Sequence, residues 1–262
     1  MKGDCVMQDI IEVYDNYSNL GIQNRRITEG KEIELVREYV EYRKSTFIES
    51  EDRKLAIFLE SKIENSYPDI VFVEYNPYNY LNWNSCRSDL KKDDLKVLYH
   101  IYAQRNLDIS EIVNQLGITW KSAALIVERL YDSNLIIRKN SKWIIKNKSS
   151  ITTYKIEAVE AKLKQWEQVL QQSIINKNFA SESYALSVID SKPKKETISK
   201  FKRFGVGIYL RNENGFEIMK TAKKAEIPVS FNSIFFNEWI GRILNSEEVS
   251  TNVEQRANYR KF

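Results

Sequence analysis

Two short runs of strand-favouring residues, each bordered by charged side chains, constrain this chain most strongly. The first run, at residues 70–73, follows Pro-Asp at 68–69, and the second, at residues 154–158, is followed by Glu-Ala-Lys at 160–162. β-Branched and aromatic residues in both runs predict strands. Because strand residues two positions apart point to the same side, the Glu and the Lys of the second motif share a face. These two motifs therefore predict a sheet with carboxylates and an ammonium group close together at the ends of its strands.

The residue types in these two motifs suit the hydrolysis of phosphodiester bonds. That reaction needs a metal ion to neutralise negative charge and to produce a hydroxide, and Mg²⁺ prefers oxygen ligands. Asp69 and Glu160 supply carboxylates, and the Ala161 carbonyl is available between Glu160 and Lys162. Pro-Asp on one strand followed by Glu-x-Lys on another is typical of the PD-(D/E)xK nuclease superfamily, and this chain resembles that superfamily.

The resemblance implies an architecture and a set of roles. It implies an α/β fold of the restriction-endonuclease-like class, with a mixed sheet flanked by helices, and a Mg²⁺-dependent DNA endonuclease in which Mn²⁺ substitutes. Asp69, Glu160 and the Ala161 carbonyl would hold one or two metal ions. Lys162 would orient and help deprotonate the attacking water, with its pKa lowered by burial near the metal. Gln172, on the following helix, would orient the lysine or a substrate phosphate.

Other interpretations of these motifs stay open. Glu-x-Lys also occurs at residues 29–31 and 60–62, but the first precedes a helical pattern and the second precedes the Pro-Asp strand. Glu157 lies on the opposite face of the second strand, and if it were the ligand, Lys162 would lose its role. A salt bridge between Glu160 and Lys162 on a solvated strand edge would explain the motif without catalysis.

Composition narrows the class of protein and of metal site. With 262 residues and 42% apolar content, the chain can hold one large or two ordinary domains. It has no apolar stretch near the ~20 residues of a membrane span, and residues 1–5 begin no secretory signal, so we expect a cytoplasmic protein with no membrane partner. Cys5, Cys86 and His100 are too few for a zinc site or a disulfide framework, which leaves oxygen ligands for any metal.

Elements around the two motifs follow the order that the resemblance implies. Helical spacing predicts a helix over residues 28–42, and Glu32 on this helix is a candidate additional metal ligand, with a surface position as the alternative. Apolar runs predict a hairpin and later strands, and amphipathic patterns predict two further helices. The predicted strands cover residues 55–59, 69–75, 183–189 and 206–210, and the helices cover 164–176 and 233–244.

The distance between the two motifs indicates an insertion. About 90 residues separate Asp69 from Glu160, more than a connection within one compact domain needs. We therefore predict a discontinuous nuclease-like domain of residues 1–85 and 149–262, with an inserted domain at residues 88–148.

The inserted segment has a pattern of its own. Capping residues and apolar spacing predict three helices, with Ala124, Val127 and Leu130 facing inward on the third. Two short apolar runs then flank a basic turn and predict a two-stranded wing. The helices cover residues 89–102, 108–116 and 120–133, and the runs of the wing cover 135–137 and 143–145. Three helices and a wing resemble a winged helix-turn-helix domain.

Charge in this segment predicts a DNA partner. Residues 138–148 contain five basic side chains and no acid, and basic side chains gain affinity by releasing counterions from phosphates. Three residues at the start of the third helix would face the major groove. The candidate DNA-binding residues are Trp120, Lys121, Ser122, Arg138, Lys139 and Lys142. A winged helix that binds a protein partner is the alternative.

The resemblance also implies biological settings that the residues do not specify. Nucleases of this superfamily serve in restriction, phage defence, transposition or repair, as homodimers or as subunits of larger complexes. A DNA-binding regulator or complex subunit on a nuclease fold that no longer cuts is the main rival hypothesis. An RNA nuclease is a weaker one, because no platform of exposed aromatic residues is evident.

Overall fold

The computed structural model describes residues 10–151 and 153–246. Within these ranges the chain is an α/β protein with a mixed seven-stranded sheet, flanking helices and a separate two-stranded sheet. It divides into two compact units, which are residues 10–18, 22–77 and 153–233, and residues 19–21, 78–151 and 234–246. Residues 1–5, which include Cys5 and on which the prediction about a secretory signal rests, lie outside the described residues.

The described residues form nine strands and seven α-helices. The strands are β1 Ile10–Val13, β2 Lys54–Leu59, β3 Ile70–Tyr75, β4 Ile136–Lys139, β5 Lys142–Ile145, β6 Lys155–Ala161, β7 Glu182–Val188, β8 Gly207–Asn212 and β9 Gly215–Lys220. The helices are α1 Lys31–Thr46, α2 Lys92–Gln104, α3 Ile109–Leu116, α4 Trp120–Asp132, α5 Trp166–Asn176, α6 Lys195–Phe204 and α7 Phe231–Leu244. No helix in the described ranges is long and apolar enough to cross a membrane.

The seven-stranded sheet belongs to the first unit and has the order β1-β2-β3-β6-β7-β8-β9. Strand β3 runs antiparallel to both of its neighbours, β2 and β6, and its pairing with β2 confirms the predicted hairpin. Strands β6, β7 and β8 are parallel, and α5 connects β6 to β7. The short β1, which pairs in parallel with β2, and β9, which pairs with β8, were not predicted.

Helices cover the two faces of this sheet. On one face, α1 buries Tyr39 completely, with its ring centroid 5.8 Å from that of Phe72 and 5.1 Å from that of Tyr209. On the other face, Leu170 of α5 and Phe201 of α6 pack in one apolar cluster with residues of β7 and β8. Burial of these aromatic and aliphatic side chains, at about 25 cal/mol per Å² of apolar surface, holds the helices on the sheet.

The second unit contains α2, α3, α4 and the antiparallel pair of β4 and β5. The predicted helix signals are confirmed, since Asp108 forms a capping box with Glu111 and Thr119 accepts a hydrogen bond from the Ser122 amide. The inward position predicted for Ala124 is wrong, because this residue is exposed. The buried face of α4 includes position 123 and not position 124. Its residues are Ala123, Ile126, Val127 and Leu130, at helical spacing.

The compact units differ from the predicted domain limits, because residues 19–21, 78–85, 149–151 and 234–246 group with the second unit. A buried ion pair joins Arg87 to the last of these segments, with Arg87 Nη2 2.5 Å from Oε1 of Glu238. Ile234 also belongs to the apolar core of this unit. A buried charge is strongly destabilising without its partner, so this pair ties the last helix to residues 78–151.

Candidate active site

The register between β3 and β6 places the two sequence motifs side by side. Asp69 immediately precedes β3, and Ile70 lies opposite Val159 of the antiparallel β6. The Ala161 amide donates a hydrogen bond of 2.7 Å to Oδ2 of Asp69. An insertion in the chain therefore leaves Asp69 in direct contact with the Glu-Ala-Lys motif.

Glu160 is buried beneath this contact, with 2% of its surface exposed. Asn176, at the end of α5, donates a hydrogen bond of 2.7 Å from Nδ2 to Oε1 of Glu160. The second carboxylate oxygen, Oε2, is buried without a hydrogen-bond partner among the described residues. Such an unpaired acceptor is costly in a protein interior, and it leaves a place for a donor or a cation.

Lys162 follows the end of β6 and reaches α1. Its Nζ lies 2.5 Å from Oε2 of Glu32, which is in the first turn of that helix. The structure therefore brings Glu32, a candidate from its position on the first predicted helix, into contact with the lysine of the motif.

Glu60 and Arg25 belong to the same cluster, although the sequence did not single them out. The hairpin pairs Leu59 with Ile70, so Glu60 lies across from Asp69, and its amide donates a hydrogen bond of 3.2 Å to the Asp69 carbonyl. Nη2 of Arg25 lies 2.6 Å from Oε2 of Glu60 and 3.9 Å from Oδ1 of Asp69. The signal for Glu60 was present in the predicted hairpin, because antiparallel pairing returns the residue after one strand to the residue before the next.

Burial, together with repulsion from neighbouring carboxylates, raises the pKa of three carboxyl groups in this cluster. Burial raises the pKa of Glu160 well above its ordinary value, and the negative charge of Asp69 raises it further. Burial also raises the pKa of Asp69, while the Ala161 amide and the charge of Lys162 oppose this effect. For Glu60, burial and then the charge of Asp69 raise the pKa to about 7.

The expected low pKa of Lys162 is wrong in the metal-free protein. Burial acts to lower the pKa of this ammonium, but the hydrogen bond that it donates to Glu32 and the charge of Asp69 outweigh burial and raise the pKa. These contacts favour the protonated form of Lys162, which donates a hydrogen bond to Glu32.

The donor atoms of the cluster fit a hard divalent cation. Asp69, Glu160 and the Ala161 carbonyl offer oxygen ligands, and the unpaired Oε2 of Glu160 is an acceptor that a cation would satisfy. Within the described residues, no group of three or more His, Cys, Asp or Glu side chains is already gathered as a metal-binding set. Side-chain rearrangement would therefore accompany binding of a metal.

Gln172 lies one helical turn before Asn176 on α5. Its side chain is half-buried, and its Oε1 is buried with no hydrogen-bond partner in the part of the chain that the structure describes. The face of α5 that carries Asn176 thus also carries an unsatisfied amide. The predicted orienting role of Gln172 remains a prediction.

The alternative ligand Glu157 lies on the opposite face of β6 and has its own partners. It forms ion pairs with Arg43 of α1 and with Lys155, whose Nζ is 2.6 Å from Oε2 of Glu157. Burial opposes its ionisation, but the charges of Arg43 and Lys155 outweigh burial and lower its pKa. Glu157 is therefore a charged group already neutralised by protein cations, which favours Glu160 as the ligand.

The candidate DNA-binding residues lie on the surface of the second unit. Trp120, which is 57% exposed, begins α4 with the exposed Lys121 and Ser122. Arg138 and Lys139 are exposed on β4. Lys142 differs from them, because its Nζ lies 3.2 Å from Oε2 of Glu111.

Comparison of the chain with protein-family models, with curated proteins and with solved structures finds no match.

Proposed function

We propose that this protein is a Mg²⁺-dependent DNA endonuclease of the PD-(D/E)xK type. The observation that carries the proposal is the contact of Asp69 with the Glu-Ala-Lys motif beside the unpaired Oε2 of Glu160. Two buried carboxyl groups with raised pKa values, of which Glu160 is raised further by the charge of Asp69, form a site that a divalent cation would stabilise.

The sheet order supports the same proposal. The superfamily resemblance implies a helix, an antiparallel hairpin, a third strand that carries Glu-x-Lys, and then a helix that leads to a parallel strand. Helix α1, the β2-β3 hairpin, β6, α5 and β7 follow this order. The restriction-endonuclease-like fold is part of the proposal on these grounds.

Each residue of the cluster has a chemical role in this proposal. A bound Mg²⁺ would supply a hydroxide at neutral pH and neutralise charge on the phosphate. Asp69, Glu160 and the Ala161 carbonyl would hold it, and Mn²⁺ would substitute. Asn176 fixes the Glu160 carboxylate through Oε1, which leaves Oε2 free for the cation.

Lys162 acts as a cation that donates hydrogen bonds. Glu32 holds its ammonium at the end of β6 and keeps it protonated, since this contact raises the lysine pKa. From this position Lys162 orients the attacking water or stabilises the charge that develops on the phosphate. This role replaces the deprotonation of water that the sequence had suggested.

DNA binding is assigned to the second unit. Three helices followed by a two-stranded antiparallel sheet support an inserted winged helix-turn-helix domain. The exposed Arg138 and Lys139 would neutralise phosphates, while Trp120, Lys121 and Ser122 would enter the major groove. Restriction, phage defence, transposition and repair are the settings proposed for such an enzyme, in a homodimer or a larger complex.

A non-catalytic DNA-binding regulator or complex subunit is the second candidate. The observation in its favour is that the exposed Arg138 and Lys139 belong to the second unit whereas the Asp69 cluster belongs to the first, so DNA binding does not require a functional metal site. Titration with Mg²⁺ separates the two proposals, because a ligand that binds only the folded state raises the unfolding temperature. The nuclease proposal predicts this increase for the wild-type protein, its loss in Glu160→Gln, and Mg²⁺-dependent cleavage of duplex DNA. A regulator would bind DNA with neither effect.

A further inference from the structure

We propose that Arg25 is a phosphate-binding residue that Glu60 and Asp69 hold in the metal-free protein and that a divalent cation releases to the DNA. This inference rests on the proposed function, because the cation and the phosphate are those of the nuclease site. It adds a residue from outside both sequence motifs, and it links metal binding to DNA binding through one side chain.

The backbone of Arg25 is held by a hydrogen bond, whereas its side chain lies at the surface. Its amide donates a hydrogen bond of 2.8 Å to the Glu60 carbonyl, and the neighbouring Asn24 donates one of 2.7 Å from Nδ2 to the Leu59 carbonyl. The side chain of Arg25 is nevertheless 53% exposed. A fixed backbone with an exposed guanidinium group allows a change of rotamer without movement of the sheet.

The guanidinium group occupies a cation position in the acidic cluster. Its Nη2 lies 2.6 Å from Glu60 and 3.9 Å from Asp69, so one positive charge stands beside two carboxylates that repel each other. A divalent cation on Asp69 would reduce the attraction that holds Arg25 and would repel its charge at short range. The electrostatic balance at Arg25 therefore reverses when the metal binds.

The released side chain has the right chemistry for a DNA phosphate. A guanidinium group presents several N–H donors in a planar fork that matches phosphate oxygens. The Tyr67 ring, whose centroid is 5.7 Å from the guanidinium carbon, gives the arginine a second contact outside the carboxylates. Because Arg25 borders Asp69, a phosphate bound at the metal would lie beside its guanidinium group.

DNA affinity as a function of salt concentration tests this proposal without relying on catalysis. Wild type, Arg25→Ala and Arg25→Lys are compared in EDTA and in Ca²⁺, after gels establish that the DNA stays intact. In Ca²⁺, we expect the slope of log K against log salt to be smaller in magnitude for Arg25→Ala than for wild type by about 0.9, the contribution of one phosphate contact. In EDTA the two slopes should agree, and Arg25→Lys should restore most of the difference in Ca²⁺.

The neighbouring exposed Arg26 provides the matched control. Arg26→Ala removes the same charge one residue away, so any effect it has on DNA affinity should be equal in EDTA and in Ca²⁺. Ca²⁺ affinity is the second readout, and Arg25→Ala should bind Ca²⁺ several-fold more tightly because the competing guanidinium group is gone. Unfolding temperatures of all variants establish that they are folded.

The possible results separate this inference from the proposed function. Equal slopes for wild type and Arg25→Ala in both media, with normal Ca²⁺ binding, would overturn the role of Arg25 and leave the nuclease site intact. Failure of the wild-type protein to bind Ca²⁺ or Mg²⁺ would overturn the metal site itself, and the inference with it.

Discussion

The amide of Ala161 donates a 2.7 Å hydrogen bond to Oδ2 of Asp69 although 92 positions separate the two residues in the chain. The bond joins the residue before β3 to the end of β6, and these strands are neighbours in the sheet. Residues 78–151 of the second unit lie between them in sequence without disturbing the pairing. The carboxyl cluster is therefore a property of the sheet register.

The raised pKa values in the cluster make the metal-free protein sensitive to pH. A carboxyl group whose pKa is higher in the folded state keeps its proton after the unfolded chain has lost it, so stability falls as pH rises above about 4.5, the ordinary value for Glu. Glu160→Gln removes one such group and keeps the acceptor for Asn176. In EDTA at pH 8, we expect this variant to unfold at a temperature at least ~3 °C above that of wild type, the shift that about 1 kcal/mol produces.

The difference between Glu160→Gln and wild type should shrink as the pH falls toward about 4.5, because the unfolded wild-type chain then takes up the proton that the raised pKa of Glu160 retains in the folded protein. Mg²⁺ should stabilise wild type more at pH 8 than at pH 5, because protons compete for the same oxygen atoms. Glu213→Gln, an exposed carboxylate in the turn after β8, is the control and should not change either result. If Glu160→Gln is no more stable than wild type at pH 8, a raised pKa of Glu160 does not destabilise the folded protein.

Arg43 and Glu157 are expected to be structural partners. Arg43→Ala would leave Glu157 buried with only Lys155 to neutralise it, so we expect a loss of about 3 kcal/mol of stability, measured by urea unfolding. Replacement of both partners, by Arg43→Met and Glu157→Leu, should recover most of this loss. Mg²⁺ should still stabilise the double variant, and loss of that effect would mean that Glu157 belongs to the metal site.

The basic residues of β4 and β5 should contribute unequally to DNA affinity. Arg138→Ala and Lys139→Ala together should lower the magnitude of the salt slope by about 0.9 for each phosphate contact removed. Lys142→Ala should have a smaller effect, because Lys142 already pairs with Glu111 at 3.2 Å and a phosphate would have to replace that partner. Fluorescence anisotropy with a duplex oligonucleotide over a range of salt concentrations measures the salt slope of wild type and of both variants. An unchanged slope in the double variant would favour a protein-binding role for this unit.

The sequence predicted the part of the site that depends on strand order. Asp69 and Glu160 were predictable as neighbours because the two apolar runs are distinct and their order suits one sheet. The contact between Lys162 and Glu32 required only the first predicted helix to lie against that sheet. The helix caps at Asp108 and Thr119 depend only on neighbouring residues, and they could therefore be predicted from the sequence.

The remaining parts depended on contacts that periodicity does not reveal. Glu60 was set aside because its Glu-x-Lys match precedes the Pro-Asp strand, whereas hairpin pairing places it beside Asp69. Arg25 lies in a segment without helical or strand periodicity, and its position depends on an isolated bridge between Asn24 and Ser61. The grouping of residues 234–246 with the second unit depends on the buried pair of Arg87 and Glu238. The partners of Arg25 and of Arg87 have no local sequence signal, whereas the position of Glu60 followed from the predicted hairpin.

Cleavage of supercoiled plasmid tests the central claim most directly. Wild type, Asp69→Ala and Lys162→Ala are incubated with plasmid in Mg²⁺, Mn²⁺ and EDTA, with Lys164→Ala, an exposed lysine two residues away, as the matched control. For wild type and Lys164→Ala, we expect nicked or linear plasmid with either metal and no cleavage in EDTA. Asp69→Ala and Lys162→Ala should be inactive while they bind DNA within a few-fold of wild type. Absence of metal-dependent cleavage by wild type, or full activity in Lys162→Ala, would contradict the account.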